Sequence, residues 1–576
     1  MSKTRALLAV CCALLLAGTM GVMAVRSPTG SGDFLRELRS KDPLLQAILS
    51  GAGESSAVQP LPDYTLEDRK SLFNLENAGN VVTLMVEVYG NRGDSLASFE
   101  TPETARTLKL PAIVREGTEQ GTTAWNGFGS NAVAANATLE VKGEPKINRK
   151  YHNFKIRLES GAGQFDGQSV LNLKKAYGKP CRIEEKFAFD LFAMLPEMMS
   201  LRTRFVHLYV MDKESPNPGY IDYGLYTMVE QPDKYYFTNR SLDDSGSMYQ
   251  AENFDFSLSA ELVDVSSPAY SKSAFEEILD IKQGDNHKDL LEMLAAVGDE
   301  SRDIDEVIDA YFDRDNVLTW MAMNVVLANS DCVTTGYLLY KPTLSQKWFI
   351  LPGNMSEAMP AAGDPNRIKV CHTGCSMFYG NVLYERILQK PENVAELQAR
   401  VAELMDYFDD SAVRALTDQY IVTLADYLVR NPDRGMLRSS PEAVIASVGR
   451  YRENMLRNVA AFEDTLLSPR KVELLDAERD GSGGVTFRWT PSAQPGGAPP
   501  AYTLEISAQP DFSIVAASLE TEATEATIQG LPQGYLYWRV TAADADGRIA
   551  GCVNTAELPD ETILYGEAAF LNFVSQ

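Results

Sequence analysis

Thiol and imidazole side chains are scarce in this sequence. Seven cysteines and four histidines are spread over 576 residues. Beyond the N-terminal segment the cysteines are Cys181, Cys332, Cys371, Cys375 and Cys552, an odd and dispersed set that excludes a disulfide scaffold. Cys371-His372-Thr373-Gly374-Cys375 is the one cluster, and no second Cys/His pair exists to complete a zinc site. A local disulfide or two buried thiols is the plainer reading. Basic residues are also in deficit: 53 Lys+Arg stand against 79 Asp+Glu, for a formal charge of −26. That balance argues against general nucleic-acid binding, because phosphate backbones attract clustered cations. The overall composition argues against a disordered, collagenous or polytopic membrane protein.

What is present is ordinary globular composition, 45% hydrophobic and 23% charged. At ~150 residues per domain the length allows about four domains. The N-terminus has the order of a secretory signal. Lys3 and Arg5 precede an apolar run from Ala6, and Val22-Met23-Ala24 offers a cleavage site with small flanking residues. The alternative is an uncleaved anchor through residues 6–25. Either way the bulk of the chain is expected outside the cytoplasm. Residues 26–77 read as a polar stalk with one short helix over 33–49, interrupted at Pro43.

From 78 onward the pattern is that of a folded unit. Period-two alternation predicts strands over 81–89, 137–141, 154–158, 205–210 and 221–230. A helix is expected at 185–195. Helical periodicity then dominates: 271–282, 287–297, 302–328, 379–389, 391–407, 410–430 and 441–467, with two strands between them at 336–341 and 348–351. Arg92-Gly93-Asp94 matches an adhesion tripeptide, but turn chemistry accounts for it.

Residues 470–558 alternate in short strands: Val485-Thr486-Phe487-Arg488-Trp489, Tyr502-Thr503-Leu504-Glu505-Ile506 and Leu536-Tyr537-Trp538-Arg539-Val540. Gly, Pro, Asp and Ser fill the turns, which predicts a β-sandwich. Trp489, the Gly534–Val540 strand and the Asp544-x-Asp546-Gly547 turn resemble a fibronectin type III domain. Residues 559–576 read as a tail.

Four blocks lie between them. They are Leu139-Glu140-Val141-Lys142-Gly143 with Lys150–Ile156; Leu171-Asn172 with Glu185–Phe192; Gly224-Leu225-Tyr226 to Glu230-Gln231, then Gly246–Tyr249; and Asn324 to Tyr340 with Asn329-Ser330-Asp331, leading to Trp348–Pro352. In order and spacing, residues 137–410 resemble the CotH family, spore-coat H proteins with an atypical kinase fold. The resemblance implies ATP and a divalent metal, Mg or Mn, if the protein is active. It places Asp331 as base or metal partner, Asn354 as a second metal ligand, and Lys150 and Glu230 as nucleotide-binding groups. A loop cap for Asp331, a strand-end charge for Glu230 and a surface lysine for Lys150 are the plain alternatives.

The chain departs from the family where chemistry is expected. Family members end this strand in Pro-Trp-Asp-x-Asp; here Pro352-Gly353-Asn354-Met355-Ser356 carries neither carboxylate. Phosphoryl transfer depends on positioning and on charge neutralisation by magnesium. Magnesium is a hard cation that favours carboxylate oxygens. The sequence thus reads as α+β: an atypical protein-kinase-like domain over 78–468, then an all-β sandwich. The expected role is an exported protein with an impaired kinase cleft, binding an extracytoplasmic protein or envelope component. An active kinase and a wall- or carbohydrate-binding adhesin are the alternatives.

Overall fold

The computed structural model describes Leu66 and residues 78–573, less 119, 144–149, 176–182, 197, 361–373, 467, 482, 493–499, 511, 533, 553–554, 558–562 and 566–568. The signal segment, the stalk helix, Cys181, Cys371 and His372 lie outside the described residues.

Seven strands close into a barrel: β1 (Val81–Val88), β2 (Leu110–Gly117), β3 (Ala137–Val141), β4 (Phe154–Leu158), β5 (Val170–Lys174), β6 (Thr203–Asp212) and β7 (Ile221–Val229). Their order is β1-β2-β3-β4-β5-β7-β6. Parallel pairing of β1 with β6, from Val81↔Phe205 to Val88↔Asp212, makes the closure. Closure removes both sheet edges, which would otherwise present unpaired backbone. The pleat sends alternate side chains inward. Leu84, Val86, Leu139, Phe154, Ile156, Leu171, Leu173, Val206 and Tyr226 share one buried core. The residues between them on β3, β4 and β5 therefore face outward. The β3–β4 and β4–β5 registers bring Glu140, Lys155 and Asn172 abreast on that outer face. Extending the same registers one step brings Lys142, Asn153 and Lys174 abreast, and the Lys142 amide donates to the Asn153 carbonyl at 2.8 Å.

Helix α1 (Ile183–Met194) follows β5 and is buried on most of its circumference. A short connection, Glu230-Gln231-Pro232, leads from β7 to α2 (Lys234–Arg240) and into a second lobe. That lobe holds a four-stranded sheet, β11-β10-β8-β9, formed by β8 (Ser247–Ala251), β9 (Leu279–Gln283), β10 (Tyr337–Lys341) and β11 (Phe349–Pro352). Its helices are α3 (Lys272–Glu276), α4 (Lys288–Gly298), α5 (Ile304–Tyr311), α6 (Arg314–Leu327), α7 (Val382–Leu388), α8 (Pro391–Tyr407), α9 (Asp410–Tyr427), α10 (Asp433–Met436), α11 (Pro441–Val448) and α12 (Tyr451–Leu466).

Three expected helices divide. The second half of 271–282 is β9, which pairs antiparallel with β8. The stretch 302–328 breaks after Tyr311, where Phe312 bridges to Trp348 and the Asp313 side chain caps α6. The stretch 441–467 breaks at Gly449 into α11 and α12. Strands β2, β5 and β8 were not anticipated as strands. The Arg92-Gly93-Asp94 tripeptide sits in a tight turn, closed by paired backbone bonds between Asn91 and Asp94.

The C-terminal strands form a two-stranded antiparallel ribbon, β19 (Thr555–Glu557) with β20 (Ile563–Tyr565), and two larger antiparallel sheets. One is β12 (Leu474–Arg479), β13 (Val485–Trp489) and β16 (Glu525–Ile528); the other runs β15 (Val515–Thr521), β14 (Ala501–Ser507), β17 (Gly534–Ala543), β18 (Ile549–Ala550). Trp489, Phe487, Leu504, Ile506, Trp538 and Val540 from both sheets bury together. The expected tail is not wholly outside this unit, because β21 (Ala569–Phe573) pairs with β17 from Gly534↔Phe573 to Trp538↔Ala569. Arg470, just before β12, pairs with Glu385 of α7 and lies over the Tyr379 ring.

Candidate functional site

The outer face of β3–β5, the β7–α2 connection and the turn after β11 enclose a cavity of about 530 Å³. Lys142, Asn153, Lys155 and Lys174 line it from the barrel, and Glu230, Gln231 and Pro232 from the connection. Gln250, Glu252 and Lys282 line it from the second sheet, with Asn354 and Ser356 at its far end.

Lys174 is the lysine that α1 engages: its Nζ donates to Glu185 Oε1 in the first turn of that helix. Glu185 is 1% exposed, so the pair fixes α1 against the barrel wall with the lysine facing the cavity. Lys150 does not reach this cavity. It lies over the Tyr151 and Tyr223 rings and lines a separate pocket with His152 and Tyr220. The cause is the strand register, which leaves Lys150 four residues before β4 while Lys155 falls on its cleft-facing side.

Glu230 borders the cavity, but its carboxylate is already engaged. Arg240 Nη1 and Nη2 donate to its two oxygens at 3.0 and 2.8 Å, and the Arg202 amide donates to Oε2 at 3.0 Å. With Arg240 also fully buried, this is a structural ion pair that anchors the connection. Asn172 completes the anchor by donating to Gln231 Oε1 at 3.0 Å.

Asp331 lies in a short 3-10 turn, Ser330–Val333, after α6. The Ser356 hydroxyl donates to its Oδ2 at 3.2 Å. Asn354 reaches the same corner because its amide and that of Gly353 both donate to the Gly336 carbonyl. Gly336 has φ +80°, and a Cβ there would stand 2.9 Å from the Asn354 carbonyl oxygen. The turn after β11 can approach only because that side chain is absent. Asn354 and Ser356 thus line one end of the cavity, with Asp331 held behind Ser356, and the two cleft lysines of β4 and β5 line its barrel wall.

The donor set at that end does not suit a divalent cation held by paired carboxylates. It offers one carboxylate, one amide and one hydroxyl, whereas magnesium favours charged oxygens. Among the described residues no group of three or more His, Cys, Asp or Glu side chains gathers to hold a metal. The opposite wall is strongly basic. Burial, with Lys174 and Lys155 close by, pushes the Lys142 ammonium down to about 7. Burial and then Arg157 lower Lys155 from its ordinary value, and burial raises Glu252. Cys332 and Cys375 are buried free thiols whose pKa burial raises, which argues against a redox role.

Sequence reasoning placed Asp331 and Asn354 at one corner but missed Lys174 and Glu185 as a pair. The available signal was the alternation of Leu171 and Leu173, which leaves Lys174 on the outer face, with an acidic helix start soon after. Lys282 was hidden inside the expected helix over 271–282.

The model of the CotH kinase protein family matches residues 139–460 of the chain. Among solved structures, the crystal structure of a Helicobacter pylori proinflammatory kinase, CtkA, is similar at 10% identity. The similarity covers 54% of this chain and 95% of that one, with a TM-score of 0.23. No curated protein matches the chain.

Proposed function

The chain belongs to the CotH kinase protein family, and we propose that it is an exported member whose kinase cleft is catalytically impaired and serves binding or assembly at the cell envelope. One observation carries the reading. Where the family's metal carboxylates are expected, Asn354 and Ser356 stand, and the Ser356 hydroxyl is spent on Asp331. Phosphoryl transfer rests on positioning and metal-borne charge. The positioning half is retained, since a lysine–glutamate pair like Lys174–Glu185 is what protein kinases use to hold the phosphates. The charge-neutralising half is reduced to one carboxylate. Export rests on the N-terminal Lys-Thr-Arg and apolar run.

The C-terminal unit is proposed to be a fibronectin type III-like module that presents the cleft or engages the envelope. Its three-stranded and five-stranded sheets around Trp489 and Trp538 support this. The retained Lys174–Glu185 pair and Asp331 favour one second reading, an active kinase acting on extracytoplasmic proteins with ATP and Mg or Mn.

Phosphotransfer by the full chain from labelled ATP, with Mg or Mn, separates the two. The proposal expects no incorporation above that of an Asp331→Ala control. Incorporation abolished by Asp331→Ala would establish the active kinase instead.

A further inference from the structure

We infer that the cleft binds a polyphosphate anion without a divalent cation, with Lys142, Lys155, Lys174 and Lys282 supplying the positive charge that a metal would otherwise bring. The inference deepens the impaired-cleft reading and rests on it. Four lysines line one cavity of about 530 Å³, in a chain whose overall charge is −26. Their gathering is therefore local and runs against the average composition. They come from four different elements: the end of β3, β4, β5 and β9.

Only part of this charge is answered from within the chain. Lys174 holds Glu185 and Lys282 holds Asp280. Among the described residues, neither Lys142 nor Lys155 has a carboxylate within ion-pair distance. Of the two carboxylates lining the cavity, Glu230 is held by Arg240 and Glu252 accepts from Gln250 at 2.7 Å. Mutually repelling, partly desolvated ammonium groups are costly unless an anion joins them. Burial first, and then neighbouring positive charge (Lys174 and Lys155 for Lys142, Arg157 for Lys155), lowers both groups.

The geometry suits a chain of phosphates. Asp331 at the far corner repels an anion, and Asn354 and Ser356 between it and the lysines are neutral. A polyphosphate would therefore lie along the β3–β5 wall rather than against the β11 turn. The recognisable ligand is either a nucleoside triphosphate or an inorganic polyphosphate.

Calorimetric titration of the full chain tests this, using ATP, inorganic tripolyphosphate and adenosine, each in EDTA and in excess magnesium. ATP and tripolyphosphate are expected to bind in EDTA at least as tightly as in magnesium. Lys155→Gln with Lys282→Gln should weaken both by at least about tenfold, since charged hydrogen bonds are lost. Lys155→Arg with Lys282→Arg keeps the charge and should retain binding, so a folding defect is told apart from lost recognition. ATP tighter than tripolyphosphate identifies a nucleotide site; the reverse identifies inorganic polyphosphate. Binding of ATP only with magnesium overturns the inference and leaves the impaired-kinase reading standing, as does failure of both anions to bind. Magnesium-dependent phosphotransfer overturns that reading independently.

Discussion

Lys142 shows how one side chain can report on the cleft. Facing it are Lys174 from β5, Lys155 from β4, Lys282 from β9 and Glu185 from α1. Its pKa falls from 10.5 to about 7 in the folded protein. The unfolded chain therefore binds the extra proton between those values, and stability from this residue rises with pH across that window. Below the lower value both states are charged and the burial penalty is complete. Lys142→Met is expected to raise the melting temperature more at pH 6 than at pH 10. An anion in the cleft favours the charged amine. Binding should therefore take up a proton above about pH 7, and weaken as pH climbs further. Titration in two buffers of different ionisation enthalpy would measure that uptake, and its absence would remove Lys142 from the site.

The same scale holds the loss of the metal carboxylates. Asn354→Asp with Ser356→Asp places new carboxylates beside Asp331 and should create magnesium-dependent stabilisation that the natural chain lacks. A melting shift with magnesium, present only in the double variant, is the expected result. Asp331 and Asn354 were legible from local sequence because each sits in a contiguous block. Lys174 was not singled out, because a lysine's role depends on a partner eleven positions away on another element.

Among elements, the end of β5 and α10 couple the barrel to the helical lobe through a buried ion pair. Lys175, next to the cleft lysine, donates to Asp433 Oδ1 at 2.7 Å and to the carbonyls of Tyr223 and Leu225 at 2.9 Å. Both charged groups are essentially inaccessible, at 0% and 1% exposure. Removing one partner of a buried pair strands the other. Asp433→Ala should destabilise the protein by about 3–5 kcal/mol in denaturant unfolding. Gly224 permits this joint: its φ is +74°, and a Cβ there would lie 2.2 Å from Asp433 Oδ2. Gly224→Ala should cost at least about 1–3 kcal/mol from backbone strain alone. A glycine inside a strand pattern was visible in the sequence; its reason, a carboxylate over two hundred residues later, was not. Helix periodicity located most of α4, α8 and α9. It failed at β9, where Leu279 and Ile281 alternate over too few residues to be told from the end of α3, and pairing with β8 decides the strand.

On the scale of the molecule, the barrel and the C-terminal sheets each bury a core of their own among the described residues. The barrel's buried set and the sandwich's buried set share no residue. Differential scanning calorimetry of the full chain should show two transitions, with tripolyphosphate raising only the one that belongs to the kinase-fold part. A shift in both, or a single cooperative transition, would mean that the Arg470–Glu385 junction couples them more tightly than this layout implies.

The period of the apolar residues, the turn residues and the order of four motif blocks were properties of the chain itself. They determined the mixed α/β class, the strand-rich sandwich and the family resemblance, because each depends on neighbours within about one element. Barrel closure through β1 and β6, the lysine wall, the Lys174–Glu185 pair and the sequestering of Glu230 by Arg240 were decided only in three dimensions. Each joins side chains from separate elements, and charge partnership is set by distance in space, where burial removes water's screening, rather than by distance along the chain.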